Sequence, residues 1–236
     1  MDSIVAIREF DTKEAVCTGA ARDIADIIAE AIAERGEAHV VLTGGSVGIG
    51  TLAALRECRV DWQKVHVYFG DERAVPVDDP ESNEGQARAA LLDHVDIPAA
   101  QIHGYGLGEK SLEAAARDYA AVLPELIDLH LLGMGHEGHI NSLFPHAAAT
   151  LASESTVMAV QDSPKPPAER ATLTLARVQS CRYVWLLVSG EEKAEAVSHV
   201  VHGGDPVEWP ACGARGTVET ALYVSSDALS QSEVER

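Results

Sequence analysis

A short apolar run that ends in a glycine-rich loop constrains the fold of this chain more than any other segment. Residues 129–132 read LHLL and are apolar enough for a buried strand. The following residues 133–139 contain three glycines and carry the titratable side chains of His136, Glu137 and His139. Buried strands that end in such loops are typical of the ligand sites of open α/β sheets. The sequence therefore predicts a site at the carboxyl end of this strand.

The rest of the chain alternates strand-like and helix-like segments. Without an internal repeat, this alternation predicts a Rossmann-like, doubly wound α/β fold with a mostly parallel sheet and helices on both faces. We expect a single domain over residues 1–236 with a polar, frayed tail at 225–236. The predicted strands are 4–7, 39–43, 65–69, a short one near 102, 129–132, 156–160, 183–188 and 222–224, while 171–175 is either a strand or the lead into a short helix. The predicted helices are 13–35 with Thr12 as its cap, 47–57, 82–92, one that Ser111 caps and that runs to 122, and 191–201, with another beginning near 140.

The net charge limits which classes of molecule this protein can bind, and the cysteines indicate its cellular compartment. A net charge of −19 argues against nucleic acid or an anionic membrane surface as a partner, but it allows a small anionic ligand held by a few local cations. The four cysteines form no CxxC pair, which is typical of reduced thiols in the cytoplasm. The first residues lack the regions of a signal peptide, and no segment reads as a membrane span. We expect a cytoplasmic protein, and the sequence leaves its oligomeric state open.

A first candidate site lies at Thr43, Gly44, Gly45 and Ser46, where a strand-like run meets a helix-like one. Exposed backbone N–H groups at a helix start attract an anion such as phosphate, and Ser46 offers a hydroxyl. A tight turn with Ser46 as N-cap explains the same residues equally well. The segment is neither a Walker loop nor a full dinucleotide fingerprint.

A second candidate follows the predicted strand 65–69. Arg73 can donate two hydrogen bonds to a phosphate or carboxylate, with Asp71 or Glu72 orienting it. The alternative is a solvated cluster of surface charges, although its position after a strand favours function.

The glycine loop supplies a candidate base. His139 is suited to general-base chemistry because imidazole titrates near neutral pH, and Glu137 can orient it. Its spacing to His136 does not match the zincin metal motif, so no metal is predicted, whereas an ordinary surface histidine is the alternative. Near other predicted strand ends, Lys165, Arg170 and Lys193 are either a local cationic pocket or ordinary exposed charges.

Together these segments resemble the 6-phosphogluconolactonase family, which shares its fold with the glucosamine-6-phosphate deaminases. The resemblance covers nearly all of residues 40–224, and the five motifs in this order are highly specific. The matching motifs are TGGS at 43–46, GDERAVP at 70–76 followed by Ser82 and Asn83, GMGHEGH at 133–139 followed by SLFP at 142–145, SPKPP at 163–167 with Arg170, and Ser189 and Gly190 with Lys193.

The resemblance implies hydrolysis of 6-phospho-D-glucono-1,5-lactone to 6-phosphogluconate in the oxidative pentose phosphate pathway, without a cofactor or metal. It implies that His139 activates water and that Arg73 binds substrate and stabilises developing charge. Glu137, where the family usually has Asp, would orient His139, and Asn141 replaces a small residue. The phosphate would be held by Gly44, Gly45, Ser46, Lys165, Arg170 and Lys193, with Asp71 beside them.

Two other functions are alternatives to this one. A deaminase typically carries Asp-Glu-Tyr where this chain has Asp71, Glu72 and Arg73, and its third motif continues differently from Phe144 and Pro145. A non-catalytic sugar-phosphate sensor is the third possibility, which the acidic charge and the presence of His139 disfavour.

Overall fold

The computed structural model describes residues 5–108, 110–152 and 154–232 of the chain. The strands, in chain order, are β1 (Ala6–Phe10), β2 (Ala38–Leu42), β3 (Val65–Phe69), β4 (Asp71–Arg73), β5 (Leu129–Leu132), β6 (Val157–Val160), β7 (Arg170–Leu173), β8 (Tyr183–Val188) and β9 (Glu219–Ser225). The α-helices are α1 (Lys13–Arg35), α2 (Gly45–Leu55), α3 (Asn83–Ala90), α4 (Leu112–Val122), α5 (Ala148–Leu151), α6 (Leu175–Val178) and α7 (Ala194–His202). Short 3-10 helices cover Trp62–Lys64, Leu92–His94, Ala99–Gln101, Glu191–Lys193, Pro210–Gly213 and Ser226–Leu229.

The main sheet has six strands in the order β1-β9-β8-β5-β2-β3, and every pair of neighbours in it is parallel. All four residues of β5 are buried, as are five consecutive residues of β8. Because consecutive residues of a strand point to opposite faces, this burial requires cover on both faces of the sheet. The predicted doubly wound α/β fold is therefore confirmed.

A second, smaller sheet was not predicted. Its three antiparallel strands have the order β4-β7-β6, with Arg73 of β4 opposite Arg170 of β7. Residues 70–73 follow the predicted strand 65–69, and their three charged side chains do not resemble a strand of their own. Asp71 and Glu72 are nevertheless buried, since their carboxylates accept hydrogen bonds inside the protein.

Two helices begin at residues whose side chains cap the helix N-terminus. Thr12 accepts a hydrogen bond from the N–H of Ala15 at the start of α1, and Ser111 accepts one from Ala114 at the start of α4, so both predicted starts are confirmed. Helix α2 begins earlier than predicted, because the backbone of Gly44 is its N-cap. Ser46 is therefore inside the first turn and is not an N-cap.

Two sequence-based expectations are wrong. No helix begins near residue 140; the chain forms turns there, with φ of +48° at Asn141 and +59° at His146, values that a right-handed helix excludes. The tail is not frayed over 225–229, because a 3-10 helix at Ser226–Leu229 buries Ala228 and Leu229. Residues 233–236 lie outside the described part of the chain.

The described residues contain no helix long and apolar enough to cross a membrane. All four cysteines are free thiols.

Candidate active site

A cavity of about 300 Å³ lies where β2, β5 and β8 of the main sheet end. Carboxyl ends of parallel strands meet at one edge of a sheet, which explains how segments distant in sequence share this cavity. The residues predicted as site residues that line it are Gly44, Gly45, Ser46, Asp71, Arg73, His139, Lys165, Arg170 and Lys193. Glu137, the remaining one, lies directly behind His139 and Lys165.

The loop after β5 folds into a tight turn that fixes the direction of His139. The N–H of Gly135 donates to the carbonyl of His139 at 2.9 Å, and the N–H of Gly138 donates to that of Gly135 at 3.0 Å. A Cβ atom on Gly135 would lie 1.9 Å from Nδ1 of His139, so this position must be glycine. Gly138 has φ of +76°, a conformation that glycine adopts without strain.

His139, Glu137 and Lys165 form a compact charged group beside the cavity. Oε1 of Glu137 lies 3.1 Å from Nδ1 of His139 and 2.7 Å from Nζ of Lys165. The ammonium of Lys165 lies 3.4 Å from the same Nδ1 but is closer to the carboxylate, which is also the nearer partner of Nδ1. A carboxylate at Nδ1 favours the tautomer with the proton on that nitrogen, which leaves the lone pair on Nε2. Nε2 makes no hydrogen bond with any residue in the described ranges, so it is available to a ligand.

Burial and hydrogen bonds together set the protonation states of His139 and Glu137. Burial lowers the pKa of His139, assisted by the charge of Lys165 and opposed by the hydrogen bond to Glu137. Burial acts to raise the pKa of Glu137, but hydrogen bonds from His139 and Lys165 outweigh it and hold this pKa well below its ordinary value. At neutral pH the arrangement is therefore a neutral imidazole beside a carboxylate, with Phe144 stacked on the imidazole at 4.5 Å between centroids.

Arg73 is held by Asn83, which the sequence analysis did not select as a site residue. The guanidinium of Arg73 donates to Oδ1 of Asn83, while Nδ2 of Asn83 donates to Oδ1 of Asp71 at 3.0 Å. Oδ2 of Asp71 accepts from the hydroxyl of Ser142 at 2.6 Å. Glu72 has a different function, because its carboxylate accepts from backbone N–H groups at the start of α3. The sequence feature that could have identified Asn83 is its place in the Ser82-Asn83 motif, which follows GDERAVP.

Lys165 and Arg170 belong to one supporting unit. Arg170 is buried, and its guanidinium donates to the carbonyls of Lys165, Pro166 and Pro167 at 2.9 to 3.3 Å. Its guanidinium also donates to the hydroxyl of Ser142 at 3.4 Å and lies over the ring of Phe144, 5.8 Å from the centroid. Arg170 thus lines the cavity, but most of its N–H groups donate to the loop that carries Lys165.

The far wall of the cavity is suited to an anion. The first-turn N–H groups of α2, including those of Gly45 and Ser46, have no partner within the helix and face the site. A Cβ on Gly45 would meet nothing within 4 Å, so the backbone there is open to a ligand. The ammonium of Lys193 is half-buried, and burial lowers its pKa although nearby Glu192 acts to raise it.

Asn141 also lines the cavity, and its polar side chain is buried there. It is 8% exposed, and neither Oδ1 nor Nδ2 makes a hydrogen bond of good geometry in the described ranges, although the amide lies beside His130 and acts to raise the pKa of that imidazole. Of the other histidines near the loop, His130 is fully buried in β5, His136 is exposed, and His146 pairs with Glu208 at 3.1 Å. Among the described residues, no three side chains of His, Cys, Asp or Glu are arranged to hold a metal ion.

This geometry defines an α/β protein with a site for a small anionic ligand beside a neutral, carboxylate-oriented histidine. Residues 11–223 match the family model described as glucosamine-6-phosphate isomerases/6-phosphogluconolactonase. A curated 6-phosphogluconolactonase of Mycobacterium tuberculosis is 46% identical, covering 96% of this chain and 98% of the relative. One of Streptomyces coelicolor is 40% identical, covering 93% and 91%. The crystal structure of 6-phosphogluconolactonase from Thermotoga maritima superposes with a TM-score of 0.86 at 25% identity, covering 94% of this chain and 100% of that one.

The family model spans most of the chain, and the relatives are similar along nearly their whole length. The chain therefore belongs to the family of glucosamine-6-phosphate isomerases and 6-phosphogluconolactonases.

Proposed function

We propose that this protein hydrolyses 6-phospho-D-glucono-1,5-lactone to 6-phosphogluconate. The observation that carries the proposal is the neutral His139 imidazole, oriented by Glu137 and facing a cavity whose other wall is suited to phosphate. The names of the relatives support the same reaction. The reaction belongs to the oxidative pentose phosphate pathway, and the cytoplasmic location remains a prediction.

In the proposed complex, the substrate phosphate binds the N-terminus of α2, with Ser46 and the ammonium groups of Lys193 and Lys165. Helix N-termini and cations stabilise dianionic phosphate through hydrogen bonds and charge. Anchoring this end places the lactone ring towards His139 and Arg73, which line the same cavity. Binding energy from the phosphate thus orients the reacting carbonyl.

In the proposed mechanism, Nε2 of His139 removes a proton from water as its oxygen attacks the lactone carbonyl carbon. Charge develops on the carbonyl oxygen, where the guanidinium of Arg73 stabilises it. Collapse of the tetrahedral intermediate breaks the bond from this carbon to the ring oxygen. The imidazolium returns its proton to that ring oxygen, which becomes the product's hydroxyl. Glu137 stabilises the imidazolium between these steps.

The test is hydrolysis of lactone generated in place, with the spontaneous rate subtracted, for wild type, His139→Ala and His94→Ala. His94 is exposed, its Nε2 lies 2.9 Å from the carbonyl oxygen of Ala89, and it does not line the cavity, so it is the control. We expect His139→Ala to lose about 10²- to 10⁴-fold in kcat and His94→Ala to stay near wild type. Wild-type turnover in a folded His139→Ala protein would contradict the general-base role.

The same experiment separates the alternatives. If the wild-type protein does not exceed the spontaneous rate, the proposed activity is wrong. Ammonia release from glucosamine 6-phosphate would then identify a deaminase, and calorimetric binding of 6-phosphogluconate without turnover would identify a sensor.

A further inference from the structure

Residues 203–216, called here the 203–216 segment, contact the His139 loop at two places. The N–H of Ala211 donates to the carbonyl of Gly138 at 2.8 Å. Further along, the N–H of His146 donates to the carbonyl of Val207 at 3.1 Å. These contacts lie on either side of His139 in sequence. The segment therefore restrains the loop both before and after the proposed base.

Trp209 has the largest side chain in this segment. It packs so closely on Gly138 that a Cβ added there would lie 2.8 Å from Cε3 of the indole and 3.3 Å from Cα of Trp209. The indole of Trp209 also stacks on His199 of α7, with 4.2 Å between ring centroids and 18° between planes. The indole thus links a helix of the main fold to the backbone that immediately precedes His139.

We propose that Trp209 is a positioning residue for the reaction: it holds Gly138 in its left-handed conformation and so fixes the direction of the His139 imidazole. This inference rests on the proposed function for its kinetic consequences. The physical reason is that the backbone angles of Gly138 determine where the next residue points. Without the indole, the turn at residues 135–139 keeps its hydrogen bonds but loses the surface against which it packs.

Loss of Trp209 should also change how deeply His139 is buried, and therefore its pKa. Burial is the main cause that lowers its pKa, and a loosened loop admits water. The charged groups that face the imidazole are Glu137, Lys165 and Asp71, and a change at Trp209 leaves all three in the chain. The pKa of His139 should therefore rise towards its ordinary value when Trp209 is removed.

The test compares Trp209→Ala with Trp209→Phe and with Trp62→Ala. Trp62 is buried and precedes β3, at the edge of the sheet opposite the cavity, so its removal destabilises the protein without touching the loop. We expect Trp209→Ala to lower kcat about tenfold or more with KM changed less than about threefold, because misplacement of a reacting group slows chemistry. Trp209→Phe keeps a flat ring against Gly138 and should restore most of the rate.

An NMR titration of the His139 imidazole in the free protein makes the inference independent of turnover. We expect its pKa to rise in Trp209→Ala and to stay at the wild-type value in Trp62→Ala. An unchanged pKa in Trp209→Ala, or an unchanged kcat where the wild type hydrolyses lactone, would overturn the positioning role. Failure of the wild type to hydrolyse lactone would overturn the proposed function, while the titration would still decide the inference.

Discussion

The guanidinium of Arg73 and the amide of Asn83 are joined by a hydrogen bond across the cavity wall, and the same amide donates to Asp71. Asn83 stands at the first position of α3, whose start is fixed by the hydroxyl of Ser82 and the carboxylate of Glu72. Arg73 is thereby oriented from a helix end. Its Nε atom is buried and has no hydrogen-bond partner among the residues that the structure describes, so its orientation depends strongly on Asn83.

We predict that Asn83→Ala lowers kcat/KM by about ten- to a hundredfold, because Arg73 loses its orientation relative to the substrate. Gln86→Ala is the control, since Gln86 lies on the same helix and donates only to the carbonyl of Pro80. Steady-state lactone hydrolysis measures both. A double-mutant cycle with Arg73→Ala is decisive: if Asn83 acts through Arg73, the double variant loses little more than Arg73→Ala alone. Fully additive losses would contradict this coupling.

Stability towards acid is governed in part by His130. This side chain is fully buried in β5, and burial lowers its pKa to about 3. An unfolded chain takes up the proton near pH ~6.5, whereas the folded protein resists it until about pH 3. The unfolded state binds more protons in this interval, so the free energy of unfolding falls as pH decreases, by up to about 1.4 kcal/mol per pH unit for one group.

We predict that His130→Leu flattens the decline of unfolding free energy below about pH 6.5, as measured by urea denaturation at several pH values. His202→Leu, at an exposed histidine, should retain the wild-type slope. Some slope will remain in His130→Leu, because burial also lowers the pKa values of His66 and His103, which lie against each other. Equal slopes in wild type and His130→Leu would show that this histidine does not govern acid stability.

The fold was largely predictable because its strands are apolar runs separated by capped helices. The bounds of β3, β5 and β8 match the predicted strands, since burial on both faces leaves a continuous apolar run. Strand β4 could not be predicted, because three charged residues become a strand only through pairing with β7. The helix predicted near 140 failed for a related reason: the sequence is compatible with helix, but the tertiary structure imposes left-handed backbone at Asn141.

The candidate site was predictable where glycines and charges follow strands, and less so where contacts join distant segments. The lining positions of His139, Arg73 and Lys193 agree with the sequence analysis, while their roles remain predictions. Nothing in the sequence links Trp209 to Gly138, because their contact exists only in the folded chain. Similarly, Arg170 reads as a free cation in sequence, whereas backbone carbonyls occupy most of its donors.

Glu137 provides the most direct test of how the base is tuned. Its hydrogen bond to Nδ1 raises the pKa of His139, while the charge of Lys165 lowers it. Glu137→Gln removes the negative charge and leaves Lys165 without its partner at 2.7 Å, so the pKa of His139 should fall further. We predict that the acid limb of the kcat/KM profile moves to lower pH and that the maximal rate decreases, because a weaker base removes the proton from water less readily.

The control is Glu137→Asp, which keeps the negative charge and should keep the acid limb near the wild-type position. Initial rates between about pH 5 and 7.5, corrected for spontaneous hydrolysis, measure both variants across the range in which imidazole titrates. An acid limb that stays in place in Glu137→Gln would show that this carboxylate does not tune His139.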